Sequence, residues 1–155
     1  MKKRWVAVFD FDGTCIPKSY GSLYDVVDSN GGATQECHRL AEEMRQYYLS
    51  KLKTRELTQG EKKKWLSDTI DLYIRSKLTL SKIEEILAEV KLRDGVLECL
   101  EILKEKNIPV AIISYGITQF IRFALKANGA LELADVVYAA DLKVNKNGLV
   151  IGFDM

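Results

Sequence analysis

The sequence predicts an α/β fold, a parallel sheet wound by helices with a helical segment inserted after the first strand. Three observations carry that prediction. Residues 5–9 (WVAVF) are a short unbroken apolar run ending in Asp10, Asp12 and Gly13, the pattern of a buried parallel strand with carboxylates at its carboxyl end. Residues 110–113 and 136–140 repeat the apolar run with a helical stretch between them, which at these lengths is a parallel crossover. The long stretch from Cys15 to Leu92 carries helical periodicity and no strand pattern.

Taken in order, the first element after the apolar run is a long amphipathic helix headed by Thr34, with Leu40, Met44, Tyr47 and Tyr48 on it. Thr58 and Glu61 form a capping box for a second helix carrying Trp65, Leu66, Ile70 and Tyr73. Ser81 begins a third, with Ile83, Ile86, Leu87 and Val90 at helical spacing. These three helices predict a cap domain over residues 15–92, and a core made of residues 1–14 and 93–155. Asp94 and Gly95 open the helix that feeds the strand at 110–113, which ends in Ser114, Tyr115 and Gly116. A helix from about Ile117 to Ala127 follows, closed by Asn128 and Gly129 as a left-handed cap. The turn at residues 145–148 (NKNG) predicts a small hairpin over residues 142–153. The whole is a doubly wound, Rossmann-like sheet, in which ligands bind at the carboxyl ends of the strands.

Composition narrows the function. The 23 basic residues balance 22 acidic ones to a net charge of +1, so there is no electrostatic footprint for nucleic acid. Lys62, Lys63 and Lys64 fall in a helical pattern and read as a solvated face. The basic start is followed by an apolar run broken at Asp10, so neither a signal peptide nor a membrane span is expected. Cys15, Cys37 and Cys99 form no CxxC pair and read as reduced thiols of a cytoplasmic protein. Cys37 and His38 are adjacent, so on a helix they diverge, and no second ligand pair exists to complete a zinc site.

The chemistry is concentrated in Asp10-Phe-Asp-Gly-Thr14. Two carboxylates one residue apart at a strand end point the same way and repel unless a cation lies between them. A hard, oxygen-seeking ion such as Mg²⁺ meets that need and screens an incoming phosphate from its nucleophile. Asp10 reads as the nucleophile that forms an aspartyl phosphate, and Asp12 as the acid that protonates the leaving oxygen and then activates water. An acidic turn closing a strand is the plainer alternative. Ser114, with the N–H groups of Tyr115 and Gly116 at a helix start, reads as a phosphate cradle; a simple N-cap is the plainer role for that serine.

These residues resemble the haloacid dehalogenase superfamily of phosphatases. Asp10-Phe-Asp-Gly-Thr14 is similar to its first motif and Ser114 to its second. The resemblance implies that Asp10 and the backbone carbonyl of Asp12 ligate Mg²⁺. Within the superfamily the chain resembles the cytosolic pyrimidine 5′-nucleotidases, through Glu36-Cys-His-Arg39, Gln46-Tyr-Tyr48, Leu57-Thr58 with Glu61-Lys62, the segment at 108–114 with Gly116-Ile117, and the segment at 147–153. That family hydrolyses nucleoside monophosphates and grips the base with cap side chains. One departure is that the acidic cap residue expected after the paired tyrosines aligns with Lys51. Tyr47, Tyr48, Trp65 and Tyr73 at helical spacing read as core before they read as base-stacking groups.

The superfamily pattern also has a lysine and a GDxxxD-like acidic pair after the third strand. Lys143 and Lys146 lie in the predicted hairpin and Asp154 has no acidic partner, so none is assigned. The expectation is a core missing its last strands, with residues 5–9 as an apolar edge. Three readings follow: a Mg²⁺-dependent 5′-nucleotidase taking a small phosphomonoester, a phosphoserine-phosphatase-like enzyme for a small metabolite, and an inactive phosphate-binding fragment.

Overall fold

The structure is a computed structural model and describes residues 5–30 and 35–155. Its centre is a four-stranded sheet in the order β1-β2-β3-β4, built from β1 (Ala7–Phe9), β2 (Val110–Ile117), β3 (Val136–Val144) and β4 (Val150–Asp154). β1 and β2 are parallel with Phe9 opposite Ile112, and β2 and β3 are parallel with Ile112 opposite Val137. β3 and β4 form the expected hairpin, antiparallel with Leu142 opposite Phe153. Asn145 shapes its turn by accepting the N–H groups of Asn147 and Leu149 at 2.9 and 3.0 Å, an Asx-type contact. β1 is the edge strand, and Trp5 and Val6 stand outside the ladder and exposed.

The stretch inserted after β1 holds four α-helices ahead of the crossover helix to β2, one more than the periodicity predicts. They are α1 (Leu23–Asn30), α2 (Gln35–Leu52), α3 (Gln59–Arg75) and α4 (Leu80–Leu87). α1 is short, and its signature is a capping box: Ser22 Oγ accepts from the Asp25 N–H while the Asp25 carboxylate accepts from the Ser22 N–H at 2.8 Å. Gly21, at φ +72°, is required there because a β-carbon would lie 2.4 Å from Asp25 Oδ2. The Thr58–Glu61 box at α3 is formed as predicted. α4 starts earlier than expected: the cap is Thr79, whose side chain accepts from the Lys82 N–H, and Ser81 lies inside the helix. Thr34, the expected head of α2, lies outside the described residues.

α5 (Val96–Glu105) and α6 (Thr118–Ala127) are the two crossover helices. α6 ends as its Asn-Gly pair predicts, with Gly129 at φ +69° and the Ala130 N–H donating to the Leu125 carbonyl at 2.9 Å. The strand residues Val110 and Ile112 bury against the helices in one apolar cluster with Leu100, Phe120, Ile121 and Leu125. Each such side chain contributes roughly 1.5–3 kcal/mol relative to exposure. Val8, Ile113 and Tyr138 alternate onto the opposite face and are exposed. The same cluster continues into the inserted helices through Leu66, Ile70, Tyr73, Ile83 and Leu87. α4 packs on α6 and α3 on β4, while the bridge between Thr79 and Leu149 ties the insertion to the hairpin.

Candidate active site

Asp10 is the first residue beyond β1, where the backbone leaves the sheet and turns back on itself. The Thr14, Cys15 and Ile16 N–H groups all point at the Phe11 carbonyl, at 2.9–3.2 Å. Gly13 sits at φ +70° in that turn. Phe11, Cys15 and Ile16 are buried and anchor the loop, leaving Asp10 exposed and Asp12 partly buried. Arg93 clamps the loop from the far end of the insertion: its guanidinium donates to the Gly13 carbonyl at 2.6 Å and its backbone N–H to the Cys15 carbonyl at 2.9 Å. Sequence patterning gives no sign of that clamp, whose partners lie 80 residues apart.

Asp12 Oδ1 accepts the Leu23 N–H at 3.1 Å, at the start of α1. Burial, with the Asp10 and Asp25 charges adding to it against the Leu23 hydrogen bond, pushes its carboxyl up to about 6. Such a group is about half protonated near pH 6 and can both give up and take a proton. Cys15, beside this loop, is pushed up to about 11 chiefly by burial, which makes it an inert thiol.

The second predicted motif is present but built differently. Ser114, Tyr115 and Gly116 do not open a helix; they continue β2, and α6 starts at Thr118 with Ile117 as its cap. The register with β3 jumps from Ile113–Tyr138 to Ile117–Ala140, so these residues form a bulge that bows out of the ladder. Ser114 is therefore not an N-cap. Its Oγ accepts the Gly116 N–H at 3.0 Å. A β-carbon on Gly116 would stand 3.2 Å from Ser114 Oγ and 4.0 Å from Asp12 Oδ2, which brings the two motifs side by side.

A cavity of about 440 Å³ opens from this junction toward the inserted helices. Asp12, Ser114 and Tyr115 line its sheet end, while Asp10 and Gly116 stand outside its lining. Its far walls are largely apolar, with Met44 and Leu52 from α2, Leu57, and Trp65 and Leu66 from α3. The aromatic residues divide between two roles. Tyr48 and Tyr73 are core, at 2% and 3% exposure. Trp65 stacks on Tyr48 at 4.9 Å between ring centroids and also lines the cavity, while Tyr47 is exposed.

Several cavity residues were not singled out by the sequence. Tyr24, Asp25 and Asp28 come from α1, and Arg45 from α2 pairs with Asp25 at 2.7 Å. Lys62 is no plain solvated residue: it lines the cavity with its ammonium 4.6 Å above the Tyr115 ring. Gln59 donates to the Tyr115 hydroxyl at 3.1 Å, and Tyr24 donates to the Tyr115 carbonyl at 3.3 Å. Tyr115 thereby links the β2 bulge to both α1 and α3. Lys51 is turned to Glu61 at 2.9 Å and lies over the Tyr47 ring. Arg55 reaches the same carboxylate, and these two cations hold Glu61 well below the usual carboxylate range. Lys143 and Asp154 pair with each other across the hairpin at 2.6 Å.

The donor set suits Mg²⁺. That ion takes one or two carboxylates, several waters and substrate phosphate oxygens rather than a full protein cage. Asp10 presents an exposed carboxylate, and among the described residues the Asp12 carbonyl accepts no hydrogen bond. No group of three or more acidic, histidine or cysteine side chains that could hold a metal ion is assembled among the described residues.

A mostly parallel sheet with paired aspartates after β1, a serine bulge at the end of β2 and helices inserted between them is a haloacid dehalogenase-like α/β fold. Residues 6–155 match the family model described as "Pyrimidine 5'-nucleotidase (UMPH-1)", and the chain belongs to that family. Among solved structures it is similar to cytosolic 5′-nucleotidase IIIB bound to cytidine, at 20% identity and a TM-score of 0.71, covering 98% of this chain and 54% of that one. It is also similar to a phospho-aspartyl intermediate analogue of phosphoserine phosphatase, at 20% identity and TM-score 0.66, covering 97% and 64%. A haloacid dehalogenase-family hydrolase from Salmonella enterica serovar Typhi aligns at 16% identity and TM-score 0.70, covering 94% and 43%. The chain thus spans about half the length of the first of these structures. No described helix is long and apolar enough to cross a membrane.

Proposed function

We propose that the protein is a Mg²⁺-dependent phosphomonoester hydrolase that acts on nucleoside 5′-monophosphates in the cytoplasm, with residues 15–92 as a cap over the site. The observation that carries this reading is the shape of the cavity. It joins Asp12 and Ser114 at one end to an apolar chamber walled by Trp65 at the other, which suits a phosphate linked to a flat, mostly apolar group.

In the proposed reaction the phosphate rests against Ser114 and the Tyr115–Gly116 backbone. An Asp10 carboxylate oxygen attacks phosphorus, forming an aspartyl phosphate as the ester P–O bond breaks. The carboxyl of Asp12 donates its proton to the departing alkoxide, then takes a proton from the water that cleaves the acyl phosphate. The raised pKa of Asp12 suits both halves of that cycle. Asp10 and the Asp12 carbonyl would hold Mg²⁺, which supplies charge neutralisation at the phosphate oxygens. Arg93 holds the loop in place through the Gly13 carbonyl.

One feature favours a second reading. The Arg45–Asp25 pair on the cavity wall also suits a small amino-acid phosphate carrying both charges. Phosphate release from a panel of nucleoside monophosphates and phosphoserine, with and without Mg²⁺, decides between them. Preferential release from nucleotides supports the nucleotidase; preference for phosphoserine overturns it. No release from any substrate favours the phosphate-binding fragment.

A further inference from the structure

One carboxylate in the cavity has no part in the proposed hydrolysis. Asp28 lies on α1 three residues after Asp25 and four after Tyr24, so all three share the cavity-facing side of the helix. Leu23, which holds Asp12, is five residues earlier, about 7.5 Å along the axis at 1.5 Å per residue. Along α1, Asp28 is therefore set apart from the residue that holds Asp12.

Asp28 is held in place from behind. Tyr73 is a core residue, and its hydroxyl donates to Asp28 Oδ1 at 3.0 Å. Among the described residues no other hydrogen bond reaches this carboxylate. An ionised carboxylate only accepts, at two oxygens, so Oδ2 keeps its accepting capacity for a ligand. Two other polar residues of the lining are already engaged: the Thr69 hydroxyl donates to the Trp65 carbonyl at 3.0 Å, and Arg45 is paired with Asp25. The cavity that has Trp65 in its lining therefore also offers a ligand an acceptor, close to the charged Asp25–Arg45 pair.

An acceptor in that position distinguishes bases by their edges. An exocyclic amine, as on cytosine, presents N–H donors to it. The single ring N–H of uracil is flanked by two carbonyl oxygens, and both meet the carboxylate with like polarity. Resting on the nucleotidase reading, we infer that Asp28, oriented by Tyr73, is the specificity-determining acceptor for an amino-bearing base. The site accordingly favours cytidine monophosphate over uridine monophosphate. Lys51 does not supply this function, because its ammonium only donates and is paired with Glu61.

The test is calorimetric binding of cytidine and uridine 5′-monophosphates to the full chain in Mg²⁺-free buffer, where the proposed hydrolysis does not proceed. The wild type should bind the cytidine nucleotide about tenfold more tightly, in keeping with one hydrogen bond to a charged group. Asp28→Asn should bring the ratio to parity or invert it, because the amide can donate to the uracil carbonyl. Tyr73→Phe, which leaves the carboxylate but frees it, should reduce the ratio by a few-fold. Thermal melts confirm that each variant is folded. Equal binding of the two nucleotides by the wild type, or a ratio unmoved by Asp28→Asn, overturns the inference alone. Binding of neither nucleotide by any variant overturns the nucleotidase reading and the inference with it.

Discussion

Replacing Asp28 with asparagine should stabilise the protein at neutral pH. Burial, with the nearby Asp25 charge adding to it, pushes the Asp28 carboxyl from 3.8 up to about 6, against the lowering effects of Tyr73 and Arg45. A group whose folded pKa is raised contributes stability that is fully present below its unfolded pKa, near 4. That contribution is lost as pH rises through about 6. At about 1.4 kcal/mol per pKa unit, a shift of this size corresponds to an upper limit of about 3 kcal/mol. Asparagine keeps an oxygen to accept the Tyr73 hydroxyl and loses the Arg45 attraction, so the expected gain is about 1–3 kcal/mol at pH 7.5. Urea denaturation of both proteins from pH 4 to pH 8 measures the difference directly. Asp12 titrates similarly in both and cancels. The variant should match the wild type near pH 4 and exceed it progressively up to about pH 6.5. A difference independent of pH, or a variant less stable at pH 7.5, would refute the reasoning. The gain would also show that a buried acceptor is retained at the expense of stability, as functional groups commonly are.

Two further predictions concern the β2 bulge. Gly116→Ala places a β-carbon 3.2 Å from Ser114 Oγ, so the serine must give by a few tenths of an ångström; with about a hundredfold lost per 1 Å of misplacement, turnover should fall by about threefold to tenfold. Steady-state kinetics on the preferred nucleotide check this, and unchanged kcat would show that Ser114 does not position phosphate. Lys62→Ala removes the ammonium above Tyr115 and, at about 0.5–1 kcal/mol for an exposed cation–π contact, should raise KM a few-fold with little change in the melting temperature. Hydrogen exchange should quicken at the start of α3 and leave α6 untouched; equal quickening in both would mean that the contact is not local.

The sheet was legible because its signals are local. The apolar runs before Asp10 and Ser114 are continuous, and the Asn-Gly pairs close α6 and the hairpin where the chain has to reverse. The Thr58–Glu61 box marks α3 for the same reason. Legibility failed where a local signal had two meanings. Ser114-Tyr-Gly reads equally as a helix entry or a strand bulge, and only pairing with β3 decides for the bulge. α1 is too short for periodicity to mark and is set by its cap. The cavity's specificity was not legible at all. Asp28 and Tyr73 are 45 residues apart, Tyr115 and Gln59 are 56 apart, and neither pair lies in a motif. Trp65 and Lys62 look respectively like core and surface in the linear pattern, and the fold gives each a second face on the cavity.

The most direct test of the central claim is chemical capture of the nucleophile. The full chain is mixed with Mg²⁺ and a nucleoside monophosphate, quenched in acid within the first turnover and mapped by peptide mass analysis. The account predicts one phosphoryl group on the peptide containing Asp10, absent in Asp10→Asn and formed more slowly in Asp12→Asn, which lacks the proton donor for the leaving alkoxide. Turnover that survives Asp10→Asn, or a phosphoryl group found on another residue, would contradict it.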